Sequence, residues 1–171
     1  LLLLLYTPLL AQEQVGRPLI TNYRYLDYEA HPTNWWVVED KNGIMYFANN
    51  DGVMQYDGVT WTTVDDSSSR CLAFDDKGVL YTGGFGDFGY LEPNEQGVLI
   101  YKSLLDKVPE EHKVFREVWE VDFYKGRIIF RTNNNLFATT LGKTILTQSI
   151  RYDQYSDFNN KTTAKLGLKQ D

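Results

Sequence analysis

Three copies of one strand–turn–strand pattern, each closing its turn on glycine, predict an all-β fold of repeated antiparallel sheets. Two further observations agree with it: aromatic residues make up 15% of the 171-residue chain, and helical periodicity is weak throughout. The first copy spans residues 37–46, the second 72–81 and the third 121–130. Gly43, Gly78 and Gly126 take corresponding places in them. A hairpin loop of about three to five residues needs positive φ near its end, which glycine reaches without steric cost.

Each copy continues in the same way. In the first, residues 53–56 form a third strand, Asp57-Gly58 a tight turn and residues 61–64 a fourth strand. In the second, residues 88–91 are followed by the turn Glu95-Gln96-Gly97 and the strand 98–103. In the third, residues 135–139 precede the turn Leu141-Gly142 and a strand over 143–147. Residues 104–112 could hold a helical turn or two, interrupted by Pro109. Four short strands in repeats of about 40–50 residues are the signature of propeller blades. The expected fold is therefore all-β, a partial β-propeller of about three four-stranded antiparallel blades.

The innermost strands of the first two copies contain the apolar runs Trp35-Trp36-Val37-Val38 and Cys71-Leu72-Ala73-Phe74. Runs of this kind suit strands covered on both faces, as stacked blades require. Closed propellers hold about four to eight blades, so closure is expected to involve residues beyond the three copies. The expected organisation is a signal-peptide remnant over 1–11, a lead-in over 12–33, blades over 34–150 and a polar tail over 151–171. The first segment is uncharged and apolar, ends on Ala11, and is shorter than the ~20 residues a membrane helix needs.

Hydrophobic residues make up 43% of the chain, enough for a packed core. Acidic residues outnumber basic ones 23 to 17, so no basic surface is available to follow a phosphate backbone. Nucleic acid is therefore not an expected partner. Cys71 is the single cysteine and forms no internal disulfide; in an apolar strand it reads as a core thiol.

Several motifs resolve into ordinary structure. Gly84-Phe85-Gly86-Asp87-Phe88-Gly89 matches G-x-G-x-x-G, but a strand and turn follow where a dinucleotide site needs a helix. Asp87-Phe88-Gly89 lacks the catalytic loop that accompanies the kinase magnesium motif. Asp40-Lys41-Asn42-Gly43 and Asp75-Asp76-Lys77-Gly78 lack the rest of a calcium loop and read as hairpin turns. His31 and His112 fit neither a metal nor a triad pattern. No cofactor, metal ligand or catalytic residue is expected.

A recognition surface remains. In an up-and-down sheet, loops between the second and third strands share a face with the loops that join blades. That face carries Asn49-Asn50-Asp51, Phe85-Gly86-Asp87, Asn133-Asn134 and the linker Asp65-Asp66-Ser67-Ser68. The candidate ligand-binding residues are Asn49, Asp51, Phe85, Asp87 and Asn133. Planar amides, carboxylates and an exposed aromatic suit a small polar ligand such as an oligosaccharide, and they equally suit plain turns. Asp51 with Asp87 is the carboxylate pair that a propeller lyase or glycosidase would use. A structural or adhesive propeller is the third possibility.

The run Asn34-Trp35 through Asp40, Gly43, Tyr46, Asn49, Gly52, Asp57-Gly58 and Trp61 resembles the opening of two-component-regulator propellers. Gly16-Arg17-Pro18, the segment 83–90 and Tyr101-Lys102-Ser103-Leu104 are similar as well. These propellers are periplasmic sensor regions of Bacteroidetes hybrid two-component and triple-tyrosine-domain regulators. The resemblance implies a non-catalytic periplasmic sensor of glycan fragments, within an inner-membrane protein. It also implies further blades, a triple-tyrosine domain, a membrane helix, and a kinase or DNA-binding output. A second copy is a further expected partner in a full-length receptor.

Overall fold

In the computed structural model, residues 16 and 19–139 are described throughout, and residues 145–149 by their strand backbone. The expected signal peptide, the turn Leu141-Gly142 and the polar tail lie outside these residues. Three sheets follow one another along the chain. The first contains β1 (Asn34–Glu39), β2 (Met45–Asn49), β3 (Gly52–Tyr56) and β4 (Trp61–Asp65). The second contains β5 (Ser69–Phe74), β6 (Leu80–Gly84), β7 (Phe88–Pro93) and β8 (Leu99–Ser103). The third contains β9 (Val118–Tyr124), β10 (Arg127–Thr132), β11 (Asn135–Thr139) and β12 (Ile145–Ser149). Every neighbouring pair is antiparallel and in chain order, so each sheet is a four-stranded meander. The fold is a partial β-propeller of three blades.

The first turn of each blade explains the glycine repeat. Asp40 Oδ1 accepts the backbone N–H groups of Asn42 and Ile44 at 2.8 and 3.0 Å, and Gly43 closes the loop at φ 82°. Asp75 repeats this with Lys77 and Val79 at 2.9 and 2.8 Å, with Gly78 at φ 81°. The same loop recurs between β7 and β8, where Asn94 Oδ1 accepts Gln96 and Val98. The carboxylates that suggested a calcium loop are thus held by their own backbone. The third blade departs from expectation: Lys125 and Gly126 alone join Tyr124 to Arg127, both at positive φ, in a two-residue turn.

Blades stack through two apolar layers. Tyr46, Ala48 and Val53 of the first blade meet Leu72, Leu80 and Leu91 of the second. Cys71, Tyr81 and Phe88 of the second meet Val121, Ile128, Phe130 and Phe137 of the third. Phe88 is fully buried between Phe130 and Phe137, with ring centroids 4.4 and 5.0 Å away. Burying each such ring contributes about 1.5–3 kcal/mol. The connection from β8 to β9 contains 3₁₀ turns at Leu105–Lys107 and Glu110–His112, and buries Leu104 and Val108 in this layer.

The two apolar runs fare differently. Cys71 and Leu72 are buried, because the second blade is covered on both sides. Trp35, Trp36 and Val37 are 43%, 42% and 49% exposed, which corrects the expectation that β1 is buried on both faces. Among the described residues, no blade covers the far side of β1. The outer part of that side is instead covered by the lead-in segment. Its short helix α1 (Tyr25–Tyr28) was not legible in the sequence. Tyr23 and Tyr28 pack on Trp61 at 5.4 and 5.3 Å, and Tyr23 and Tyr56 share a 2.6 Å hydroxyl hydrogen bond.

Candidate functional site

One irregularity recurs in all three blades and builds the site. The innermost strand slips by one residue where it meets the end of the second strand. In β1 the pairing jumps from Asn34 to Trp36, in β5 from Ser69 to Cys71, and in β9 from Val118 to Glu120. The residues left over are Trp35, Arg70 and Trp119. A bulged residue has no partner across the ladder, and the strand bends to re-aim its side chain. Each blade therefore presents one large side chain at the same end of its innermost strand.

The loops between second and third strands meet these bulges. Trp35 donates its indole N–H to Asn50 Oδ1 at 2.8 Å. Trp119 does the same to Asn133 Oδ1 at 2.5 Å. Asn50 and Asn133 occupy corresponding loop positions, so the first and third blades carry the same indole–amide pair. In the second blade the residues at the corresponding positions are Arg70 and Phe85. Arg70 turns towards the first blade: its guanidinium carbon sits 4.3 Å from the Trp35 ring centre, and Nη1 donates to Asn50 Oδ1. Trp35 and Trp119 meet edge to face at 6.5 Å, although two blades separate them in sequence. The three bulges thus converge on one mouth.

Close backbone approach makes this end compact. A Cβ on Gly84 would lie 1.7 Å from the carbonyl oxygen of Ser68, so only glycine fits beside the linker between blades. Gly86 takes φ 71° in the following turn. Those two requirements, and not a phosphate, account for the first glycines of the G-x-G-x-x-G match.

The expected site residues separate into two groups. Phe85 is 62% exposed at the mouth, and Asn133 is exposed and bonded to Trp119. Asn49 is fully buried, and its amide donates to His31 O and Asn34 Oδ1 at 2.6 and 2.7 Å. Asp87 Oδ1 accepts from Ser103 Oγ and from the Phe88 N–H, both at 2.7 Å, which ties the loop to β8. Asp51 is exposed on the side of the lead-in segment, in a shallow recess with Tyr25, Leu26, Glu29 and Ala30. Asn50, Arg70, Trp35 and Trp119 were missed as site residues. His31 also belongs to the surroundings: its Nδ1 accepts the Thr33 N–H and lies 3.0 Å from Asn50 Nδ2.

Cys71 Sγ lies 3.6 Å from the carbonyl oxygens of Gly83 and Val118 in the core below the mouth. Burial pushes its pKa up to about 12, so at neutral pH it is a protonated, unreactive thiol.

No protein-family model and no curated protein matches the sequence. Solved structures do. One is described as the extracellular domain of the hybrid two-component system BT4673 from B. thetaiotaomicron. It matches with a TM-score of 0.54 and 20% identity, over 75% of this chain and 17% of that one. A second, described as the extracellular domain of the one-component system BT4673, matches with a TM-score of 0.50 and 18% identity. That match covers 69% of this chain and 15% of the other, so the chain spans about a sixth of the structures it resembles. The chain shares the fold of extracellular domains from Bacteroides two-component systems.

Proposed function

We propose that this chain is part of an exported, non-catalytic sensor that recognises a small polar ligand of the oligosaccharide type at the bulge mouth. The observation that carries the reading is the convergence of Trp35, Arg70 and Trp119 from three blades on one point. Structural residues in a sheet serve their own blade, whereas these are aimed out of their ladders towards each other. Half-exposed indoles offer flat apolar faces to a sugar ring, while amides and a guanidinium offer directional hydrogen bonds. Phe85 and Asn133 belong to the same mouth. Asn49 supports it from behind, by holding the His31 backbone, and Asp87 supports it by fixing the Phe85 loop.

The likeness to extracellular domains supports a location outside the cytoplasm, in the periplasm, as part of an inner-membrane protein. Among the described residues, no helix is long and apolar enough to cross a membrane. A second copy is a proposed partner in the full-length receptor. The enzymatic alternative gains nothing from Asp87, whose carboxylate is engaged by Ser103 and its own loop.

Calorimetry on the full-length protein tests the reading, with a panel of neutral and acidic oligosaccharides as probes. Trp119→Ala is expected to weaken binding at least about tenfold while moving the melting temperature little. Unchanged affinity in that variant would remove the mouth as the binding site.

A further inference from the structure

We infer that the mouth takes a carboxylate-bearing saccharide, a uronic-acid unit, with Arg70 as the residue that reads the charge. This rests on the mouth being the ligand site. In the first and third blades the bulge residue is an indole whose single N–H is satisfied by the asparagine of its own loop. In the second blade the bulge residue has several donors, and the corresponding loop residue is Phe85, whose side chain carries no acceptor oxygen.

The consequence is a cation without a counterion among the described residues. A guanidinium carries five N–H donors. Arg70 Nη1 is bonded to Asn50, and Nε is buried with no acceptor among the described residues. No carboxylate among those residues lies within ion-pair distance of Arg70, although the chain carries 23 acidic side chains. Arg24 and Arg131, by contrast, each hold a carboxylate, at 3.2 and 2.6 Å. Asp87, in the loop between the second and third strands of the same blade, has turned its carboxylate to Ser103 and Phe88.

A planar guanidinium lying on an aromatic ring is held in place and matches a carboxylate in its own plane. Trp119, at 39% exposure, meets the same Trp35 ring, and Phe85, at 62%, lies in the loop position corresponding to Asn50 and Asn133; both are apolar surfaces on which a pyranose ring can rest. The combination asks for a negative charge carried on a sugar ring. An isolated anion would leave the aromatic surfaces unused, and a neutral sugar would leave Arg70 unpaired.

The experiment is calorimetry on the full-length protein with glucuronate- and galacturonate-terminated disaccharides and their carboxyl-reduced neutral counterparts. The acidic form of one pair is expected to bind at least about tenfold more tightly. Arg70→Gln should erase that preference, so that the acidic and neutral forms bind with affinities within about threefold of each other. Because Arg70 also contacts Trp35 and Asn50, Phe85→Glu serves as a second variant. It places a carboxylate at the loop position corresponding to Asn50 and Asn133, and should lower uronate affinity more than that of the neutral counterpart while Arg70 is kept.

Equal binding of acidic and neutral disaccharides, or a preference that survives Arg70→Gln, overturns the inference while leaving the mouth as the ligand site. Binding that is indifferent to Trp119→Ala overturns both. Failure of every uronate to bind at millimolar concentration overturns the inference. Displacement of the uronate by equimolar inorganic sulfate makes the mouth a general anion site and overturns the saccharide assignment.

Discussion

The two ends of the blade array use aspartate and asparagine side chains for opposite purposes. At the first-turn end, Asp40, Asp75 and Asn94 spend their side chains on backbone N–H groups two and four residues ahead. The hydrogen bonds of these three side chains stay within their own hairpins. At the mouth, Asn50 and Asn133 accept from indoles fifteen and fourteen residues earlier, and Asn50 also accepts from the next blade. Local bonding fixes a turn; long-range bonding ties blades together and leaves ring faces open. The difference teaches which end has chemistry to spare.

Substitutions that crowd the mouth should break this contrast most severely. Gly84→Ala puts a methyl group 1.7 Å from a backbone oxygen of the linker, which must move for the chain to fold. A loss of about 3 kcal/mol or more is expected in a denaturant melt of the full-length protein. Gly78→Ala, at the turn end, meets open space and suffers only from its positive φ. Its expected cost is about 1–2 kcal/mol. Equal losses at the two glycines would mean that the linker is softer than its packing suggests.

Asp75→Ala removes a buried acceptor for two backbone groups of a turn whose tip is exposed, and should cost about 1–3 kcal/mol in the same melt. Asn50→Ala frees Trp35 and Arg70, which are both partly exposed, so water replaces much of what is lost. About 0.5–1.5 kcal/mol is expected, together with a change in tryptophan emission that Asp75→Ala does not cause. A larger loss at Asn50 than at Asp75 would make the mouth a structural clasp first.

The smallest expected effect is at Cys71. Its thiol pKa, raised by burial to about 12, keeps it neutral in the folded state. A thiol-alkylating reagent at pH 8 should leave it unmodified until denaturant unfolds the chain. Rapid labelling of the folded protein would show that the layer between the second and third blades opens readily.

Much of this fold is legible because it is local. The Asp-x-x-Gly text names its own turn, and the glycine spacing names the blade. Burial of β1 was not legible, because Trp35-Trp36-Val37 reads like Cys71-Leu72-Ala73 and only the neighbouring blade decides which run is covered. The bulges were hidden for a similar reason, since a one-residue slip is set by how two strands meet. A trace of them is nevertheless present. Counting seven residues on from Gly43, Gly78 and Gly126 lands on Asn50, Phe85 and Asn133. Counting back eight, eight and seven lands on Trp35, Arg70 and Trp119. Aligning the copies on their loops as well as their turns brings out the mouth. Asn49 was singled out where its neighbour Asn50 reaches the mouth, because alternation along the chain sends adjacent amides to opposite environments.

The most direct test is where a ligand sits. A crystal structure of the full-length protein, soaked with an oligosaccharide that binds in calorimetry, would show it. The expected result is a sugar ring against Trp119 or Phe85, with polar contacts to Asn133 or Arg70. A ligand seated instead on the hairpins around Asp40 and Lys77, with the bulge residues untouched, would contradict the assignment of the mouth.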